Sequence, residues 1–287
     1  MTLKTTLIDV AALAALPASD VLIVDCRVDL VDRAQGERSY LAGHVPGAVF
    51  ADLERDLSDM SRVPDGLGRH PLPAAAAFSA VLGRWGWTPQ LQVVCYDAGP
   101  GALAAARLWW LLRLAGVEAV AVLDGGYAAW QAAGQPLATD VPARTPTQVM
   151  LGYDARQVIV DHAALHAAPS PLLLDARAAA RYRGDIEPLD RAAGHVPGAR
   201  NRPYVDNLLA DGHFKPPAQL RAEFAAVLGD AMPDRVVHMC GSGVTACYNL
   251  LAMEHAGLTG SRLYAPSWSG WVSDPSRPVA TGESWEL

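Results

Sequence analysis

The chain has 287 residues, 51% of them apolar and 18% charged, which is enough to bury two ordinary cores and too apolar for a disordered protein. A formal net charge of −7 with no basic run argues against nucleic acid as a partner, and no apolar stretch approaches the ~20 residues that span a bilayer. The cysteines Cys26, Cys95, Cys240 and Cys247 have neither CxxC nor disulfide-framework spacing, so they suggest the reducing cytoplasm and give no support to a metal site.

The opening stretch, MTLKTTLIDVAALAALPASD, carries an acid inside its apolar part and a single lysine. It suits a strand and a surface helix better than a signal peptide. VLIVDCR at 21–27 reads as a short buried strand ending in Asp-x-Arg, and GHVPGA follows at 43–48. Phe78, Val81, Leu82 and Trp85 stand at helical spacing, LQVVCYD at 91–97 is the next strand, and LDGGYAAW closes the series at 123–130. After the proline-spaced GQPLATDVPARTPTQ (134–148), which suits an exposed linker, the same order returns. LLLDAR occupies 172–177, GHVPGA recurs unchanged at 194–199, RVVHMC lies at 235–240 and LYAPSWSGW at 263–271. Leu220, Phe224, Val227 and Leu228 form the matching helix stripe. A repeated hexapeptide inside a repeated order predicts two homologous domains, 1–137 and 150–287, joined by a linker at 138–149. Alternating strands and helices predict an α/β fold, each copy a mainly parallel sheet flanked by helices.

The chemistry concentrates in HMCGSGVTACYN, 238–249. A buried apolar filler is the ordinary fate of a cysteine, and Cys247 on the helix stripe and Cys26 and Cys95 in the strands read that way. Cys240 instead follows a strand directly and precedes a helix, with Gly241 and Gly243 free to turn the backbone tightly. Successive amides at Gly241, Gly243, Val244 and Thr245 can then form an anion-binding nest, which with the helix dipole favours thiolate over thiol. The first copy has Asp97 at the corresponding place, followed by the longer loop AGPGALAA, so the candidate nucleophile belongs to one copy only.

With these motifs the chain resembles the two-domain rhodanese-like sulfurtransferases, over nearly its whole length. YLAGHVPGA (40–48) is similar to the family's first signature, and CGSGVTA (240–246) to the active loop of its 3-mercaptopyruvate-using members. The resemblance implies a tandem of rhodanese-like domains, an inactive one followed by a catalytic one, with Cys240 accepting sulfur as a persulfide. It implies that Ser242, with a histidine and an aspartate, polarises the donor thiol. The histidine would be His44, reaching across from the first domain while its twin His195 stays a turn residue. The aspartate would be Asp32, with Asp29 as the alternative. Two arginines would clamp the donor carboxylate, Arg181 first and Arg191 or Arg183 second, whereas Arg177 in Asp-x-Arg reads as a structural ion-pair partner. Gly241 and Ser242 stand where thiosulfate-preferring members carry basic residues, which favours 3-mercaptopyruvate, with thiosulfate as the alternative donor. Pro266 and Gly270 depart from the family's carboxyl-terminal signature, which has Gly and Glu there. The implied partners are a small-molecule sulfur donor and a thiol, cyanide or thioredoxin-like acceptor, with no cofactor. Cysteine-dependent phosphoester hydrolysis would need an arginine six residues after Cys240, where Ala246 stands, and a non-enzymatic binding module would not need Cys240 at all.

Overall fold

The computed structural model describes residues 3–99, 104–165 and 170–283. The first unit is built on a five-stranded sheet of β1 (Leu7–Ile8), β2 (Val21–Asp25), β3 (Val49–Phe50), β4 (Gln92–Tyr96) and β5 (Val120–Leu123), in the order β1-β5-β4-β2-β3. The second repeats it with β6 (Val158–Ile159), β7 (Leu172–Asp175), β8 (Arg200–Asn201), β9 (Val236–Met239) and β10 (Arg262–Tyr264), in the order β6-β10-β9-β7-β8. Every strand pairing is parallel. The first unit carries α1 (Val10–Ala14), α2 (Gln35–Ala42), α3 (Ala75–Arg84), α4 (Ala104–Leu114) and α5 (Gly126–Ala132). The second carries α6 (Ala179–Arg183), α7 (Pro217–Leu228), α8 (Ala246–His255) and α9 (Ser267–Trp271). Helices cover both faces, so β2, β4 and β9 are buried at every position, and their sequences are mainly apolar rather than alternating, interrupted by Asp25, Gln92 and His238.

The Asp-x-Arg motif ties each central strand to the turn that opens GHVPGA. Arg27 Nη2 lies 2.6 Å from Asp25 Oδ2 and 2.7 Å from the Gly43 carbonyl. Arg177 Nη2 repeats this at 2.6 Å from Asp175 and 2.7 Å from the Gly194 carbonyl. Arg177 is thus the structural partner expected of it. Both histidines of the repeat stack on a tyrosine, His44 on Tyr40 at 4.0 Å and His195 on Tyr182 at 3.8 Å between centroids.

Two features depart from the domain boundaries expected of the sequence. The stretch 138–149 is not a free linker: Thr147 N donates to the Gly83 carbonyl (3.0 Å) and Thr147 Oγ1 to that of Trp87 (2.7 Å). A Cβ at Gly83 would stand 2.6 Å from the Thr147 oxygen, so the missing side chain on α3 is what admits this segment. The first unit accordingly runs on to Asp154. It also takes in Ala210–Phe214, while Asp59–Leu72 packs with the second unit, although each segment lies in the other half of the sequence.

Candidate active site

Strand β9 lies between β7 and β10, so Cys240 sits at the carboxyl end of a central parallel strand, where open α/β sheets bind ligands. The cysteine is 1% exposed. Its amide donates to Ser267 Oγ (3.1 Å), its carbonyl accepts from Trp268 N (3.0 Å), and the Gly241 carbonyl accepts from Ser269 N (2.9 Å). The loop therefore turns its carbonyls toward α9. Among the described residues, the amides of Gly241, Ser242 and Val244 donate to no protein acceptor, which leaves them for an anion. Gly243 has φ +75°, and a Cβ there would meet the Ala265 carbonyl at 2.4 Å, so this turn admits only glycine. Thr245 precedes α8, which begins at Ala246 and is buried from Ala246 through Met253, Cys247 included.

The first unit contains the same backbone without the sulfur. Tyr127 N donates to the Asp97 carbonyl (2.9 Å) and Ala128 N to that of Ala98 (3.0 Å), the counterparts of the Trp268 and Ser269 bonds. Asp97 Oδ2 accepts from Ala105 N at 2.9 Å, so a fixed carboxylate already occupies the amino end of α4. Residues 100–103 of the expected longer loop lie outside the described residues.

Ser242, 7% exposed, places its Oγ 2.9 Å from Nδ1 of His70, which is equally buried. His70 belongs to the segment Asp59–Leu72 of the second unit. That segment is closed by the Asp59 N to Pro71 carbonyl bond (2.9 Å) and tied to α9 by Arg69 N to Ser269 Oγ (3.0 Å). Gly270, one of the departures from the family signature, lets it lie close. A Cβ at Gly270 would stand 3.0 Å from the Gly66 oxygen and 3.1 Å from the Gly68 nitrogen.

The histidine that meets Ser242 is thus His70 and not His44. His44 is fully buried in the first unit, with Nδ1 2.7 Å from the Tyr40 carbonyl and Nε2 3.1 Å from that of Asp140. Both nitrogens face backbone oxygens, so it is a turn residue like His195, whose Nδ1 lies 2.8 Å from the Tyr182 carbonyl. Asp32 is an exposed acid paired with Arg38 at 2.5 Å. Asp29, the alternative, accepts from the amides of Val31 (2.7 Å) and Asp32 (2.9 Å), and the backbone bonds from Asp32 and Val31 hold its carboxyl below the usual range.

Arg181, on α6, is held by Glu187 (Nη2 at 2.6 Å, Nε at 3.2 Å) and by Asp190 (Nη2 at 3.2 Å). Asp190 also binds Arg69 through Nη1. A Cβ on Gly241 would lie 3.0 Å from Arg69 Nη2 and 3.5 Å from Arg181 Nη1, so these two guanidinium groups flank the loop beside Cys240. The second arginine over the loop is therefore Arg69. Arg191 is exposed and reaches the Ser273 carbonyl at 3.4 Å, and Arg183 pairs with Asp185 at 2.6 Å.

The rhodanese-like domain model matches residues 9–133 and 160–274. The chain belongs to this family. A Pseudomonas aeruginosa relative named "Probable 3-mercaptopyruvate sulfurtransferase" is 50% identical over 275 residues, covering 94% of this chain and 95% of its own. A Cricetulus griseus relative named "Thiosulfate sulfurtransferase" is 32% identical, covering 87% of this chain and 85% of its own. The solved structure of a 3-mercaptopyruvate sulfurtransferase from Leishmania major superposes with a TM-score of 0.82 at 33% identity, over 94% of this chain and 76% of its own. The expected tandem of rhodanese-like domains is what the structure shows.

Two residues of this rhodanese-like site, Arg69 and His70, were not picked out from the sequence. The available signal was the length of the stretch between β3 and α3, which holds only the 3-10 turn Met60–Asp65, since long loops are commonly functional. Its GLGRHPLP (66–73) places a cation and an imidazole side by side.

Proposed function

We propose that this chain is a sulfurtransferase that moves sulfur from 3-mercaptopyruvate to a thiol or cyanide acceptor through a persulfide on Cys240. The observation that carries the reading is the juxtaposition, in one unit, of a cysteine in an amide-lined loop with the Ser242–His70 pair and the guanidinium groups of Arg69 and Arg181. The Cys240 thiolate attacks the donor's sulfur, forming the S–S bond as the C–S bond breaks. The electron pair leaves on carbon as the enolate of pyruvate, which takes a proton from the Ser242 hydroxyl, and His70 restores that proton. The acceptor thiolate or cyanide then attacks the outer sulfur and frees the Cys240 thiolate. The amides of Gly241, Ser242 and Val244 stabilise the anion on sulfur at both stages.

A thioredoxin-like dithiol is the acceptor class that suits a cytoplasmic enzyme, and the free, unbridged cysteines agree with that compartment. No helix among the described residues is long and apolar enough to cross a membrane. A second reading, thiosulfate as donor, is favoured by Arg69, a cation beside the loop that its neutral sequence did not announce. The deciding experiment is incubation with 3-mercaptopyruvate or thiosulfate and no acceptor, followed by peptide mass analysis. The peptide carrying Cys240 gains one sulfur atom, removable by cyanide, faster from 3-mercaptopyruvate. A sulfur on Cys247, or on neither cysteine, refutes the reading.

A further inference from the structure

The first unit, which has Asp97 in place of Cys240, contains a cavity of its own. Its volume is about 220 Å³, and its walls include Leu13 of α1, Ile23 of β2, Val45 of the GHVPGA turn and Trp130 of α5, all buried. The Trp130 indole N–H donates to the Pro136 carbonyl at 2.8 Å, so the ring brings no unsatisfied polar group to the cavity. The exposed Ala14 and Ala18 also line it, and a Cβ at Gly47 would meet nothing within 4 Å, so small residues leave it open on one side. Two polar side chains interrupt the apolar lining, Gln135 and Arg144. Arg144 Nη2 lies 3.3 Å from the carbonyl of Val21, itself a wall residue, which fixes the guanidinium at the cavity. Arg27, Arg33, Arg38, Arg55 and Arg84 of this unit each have a carboxylate within 3.2 Å. Arg144 has none among the described residues, and burial alone draws its guanidinium below the usual arginine pKa. A half-buried cation without a counter-charge is unfavourable, and an anion that binds beside it relieves this.

We infer that this cavity is a second ligand site, for a monocarboxylic acid with a compact apolar body of about the size of benzoate, its carboxylate on Arg144. An apolar cavity of about 150 Å³ is enough to hold benzene, so this one has room for a ring and a carboxyl group. Leu13, Ile23, Val45 and Trp130 take the apolar body. The planar fork of Arg144 directs N–H donors at both carboxylate oxygens, and the Gln135 amide is the second polar group within the same walls. One guanidinium balances one negative charge, so a phosphate or a dicarboxylate would carry a further charge into the cavity without a partner. The lining holds no nucleophile and no acid or base, so the occupant is bound and not converted. The site lies within the first unit and owes nothing to the chemistry at Cys240.

The test is an NMR titration of the full chain, with labelled methyl groups, against three probes. Benzoate carries ring and charge, benzamide keeps the ring without the charge, and acetate keeps the charge without the ring. Benzoate gives nuclear Overhauser contacts to the methyl groups of Leu13 and Val45, and benzamide and acetate bind about tenfold more weakly or worse. Arg144→Met weakens benzoate by about tenfold and leaves benzamide within about twofold, which shows that the cavity is still formed. Arg33→Met, at an arginine already paired with Glu54, changes neither. Benzoate bound only at the Cys240 loop, or not at all at millimolar concentration, overturns the inference. So does an Arg144→Met variant that binds benzoate unchanged, or that loses benzoate and benzamide alike.

Discussion

His70 Nδ1 lies 2.9 Å from Ser242 Oγ, though 172 positions of sequence separate the two residues. Both side chains are buried, so water competes little for the hydroxyl. The same distance cannot be read from either residue's local sequence, because the segment bearing His70 packs with the second unit.

If that pair is the proton relay, Ser242→Ala and His70→Ala each lower kcat by about 10²–10⁴-fold with a smaller change in KM. The double variant loses little more than either single one, because the two groups act as a unit. His44→Ala and His195→Ala instead lower Tm and leave the kcat of the folded fraction nearly intact. Steady-state kinetics normalised to folded protein checks this, and a kcat loss at His44 equal to that at His70 would refute it.

The two loop glycines separate function from fold. Gly243→Ala forces a side chain into a left-handed turn against the Ala265 oxygen, and destabilises by about 1–3 kcal/mol or more, visible as a fall in Tm. Gly241→Ala meets only the flexible ends of Arg69 and Arg181, so Tm holds while KM for 3-mercaptopyruvate rises. Thermal melts and kinetics on the same two proteins check the division.

Ser267 is the one described non-glycine residue at positive φ, at +53°, where the first unit has Gly126 at +61°. Its hydroxyl accepts from Cys240 N at 3.1 Å and donates to the Tyr264 carbonyl at 3.0 Å, which compensates for the strain. Ser267→Ala keeps the strain and loses both bonds, at about 1–3 kcal/mol, whereas Ser267→Gly loses the bonds but relieves the strain and falls between. Urea denaturation ranks the three proteins. Ser267→Ala as stable as the unaltered chain would contradict this account.

Stability is expected to fall with acid in two overlapping windows. Burial pushes His238 down to about 3, and neither ring nitrogen has a hydrogen-bond partner among the described residues. The unfolded chain takes up that proton near pH 6.5, so this contribution is present above 6.5 and is lost as pH falls toward 3. Burial alone would raise Glu223, but bonds from Arg202, Lys215 and Gln219 outweigh it and bring it down to about 2. Its contribution is present above about pH 4.5 and is lost as pH falls toward 2. Urea midpoints across pH 7 to 3 should therefore decline, and His238→Leu should flatten the part between about 6.5 and 4.5 and lessen the decline below it, where Glu223 still contributes. An unchanged slope there would mean that His238 titrates normally.

Local sequence was sufficient for whatever depends on residues close along the chain. The repeated Asp-x-Arg and GHVPGA motifs, the apolar runs of β2, β4, β7 and β9, and the glycines around Cys240 each dictate their own backbone within a few positions. Together they specify the tandem α/β fold, the cysteine loop and the contrast between Cys240 and Asp97. Arg181 is reached only through the resemblance to the family, since nothing in its local sequence separates it from an ordinary surface charge. What only the tertiary structure decided is which histidine and which second arginine lie beside that loop. His44 and His195 occupy identical hexapeptides, and the fold gives them identical duties, stacked on a tyrosine with a ring nitrogen against a backbone carbonyl. His70 and Arg69 lie in an irregular segment with no periodicity to read. Their roles come from the packing of Asp59–Leu72 with the second unit, made possible where Gly68 and Gly270 remove the side chains that would keep the two backbones apart.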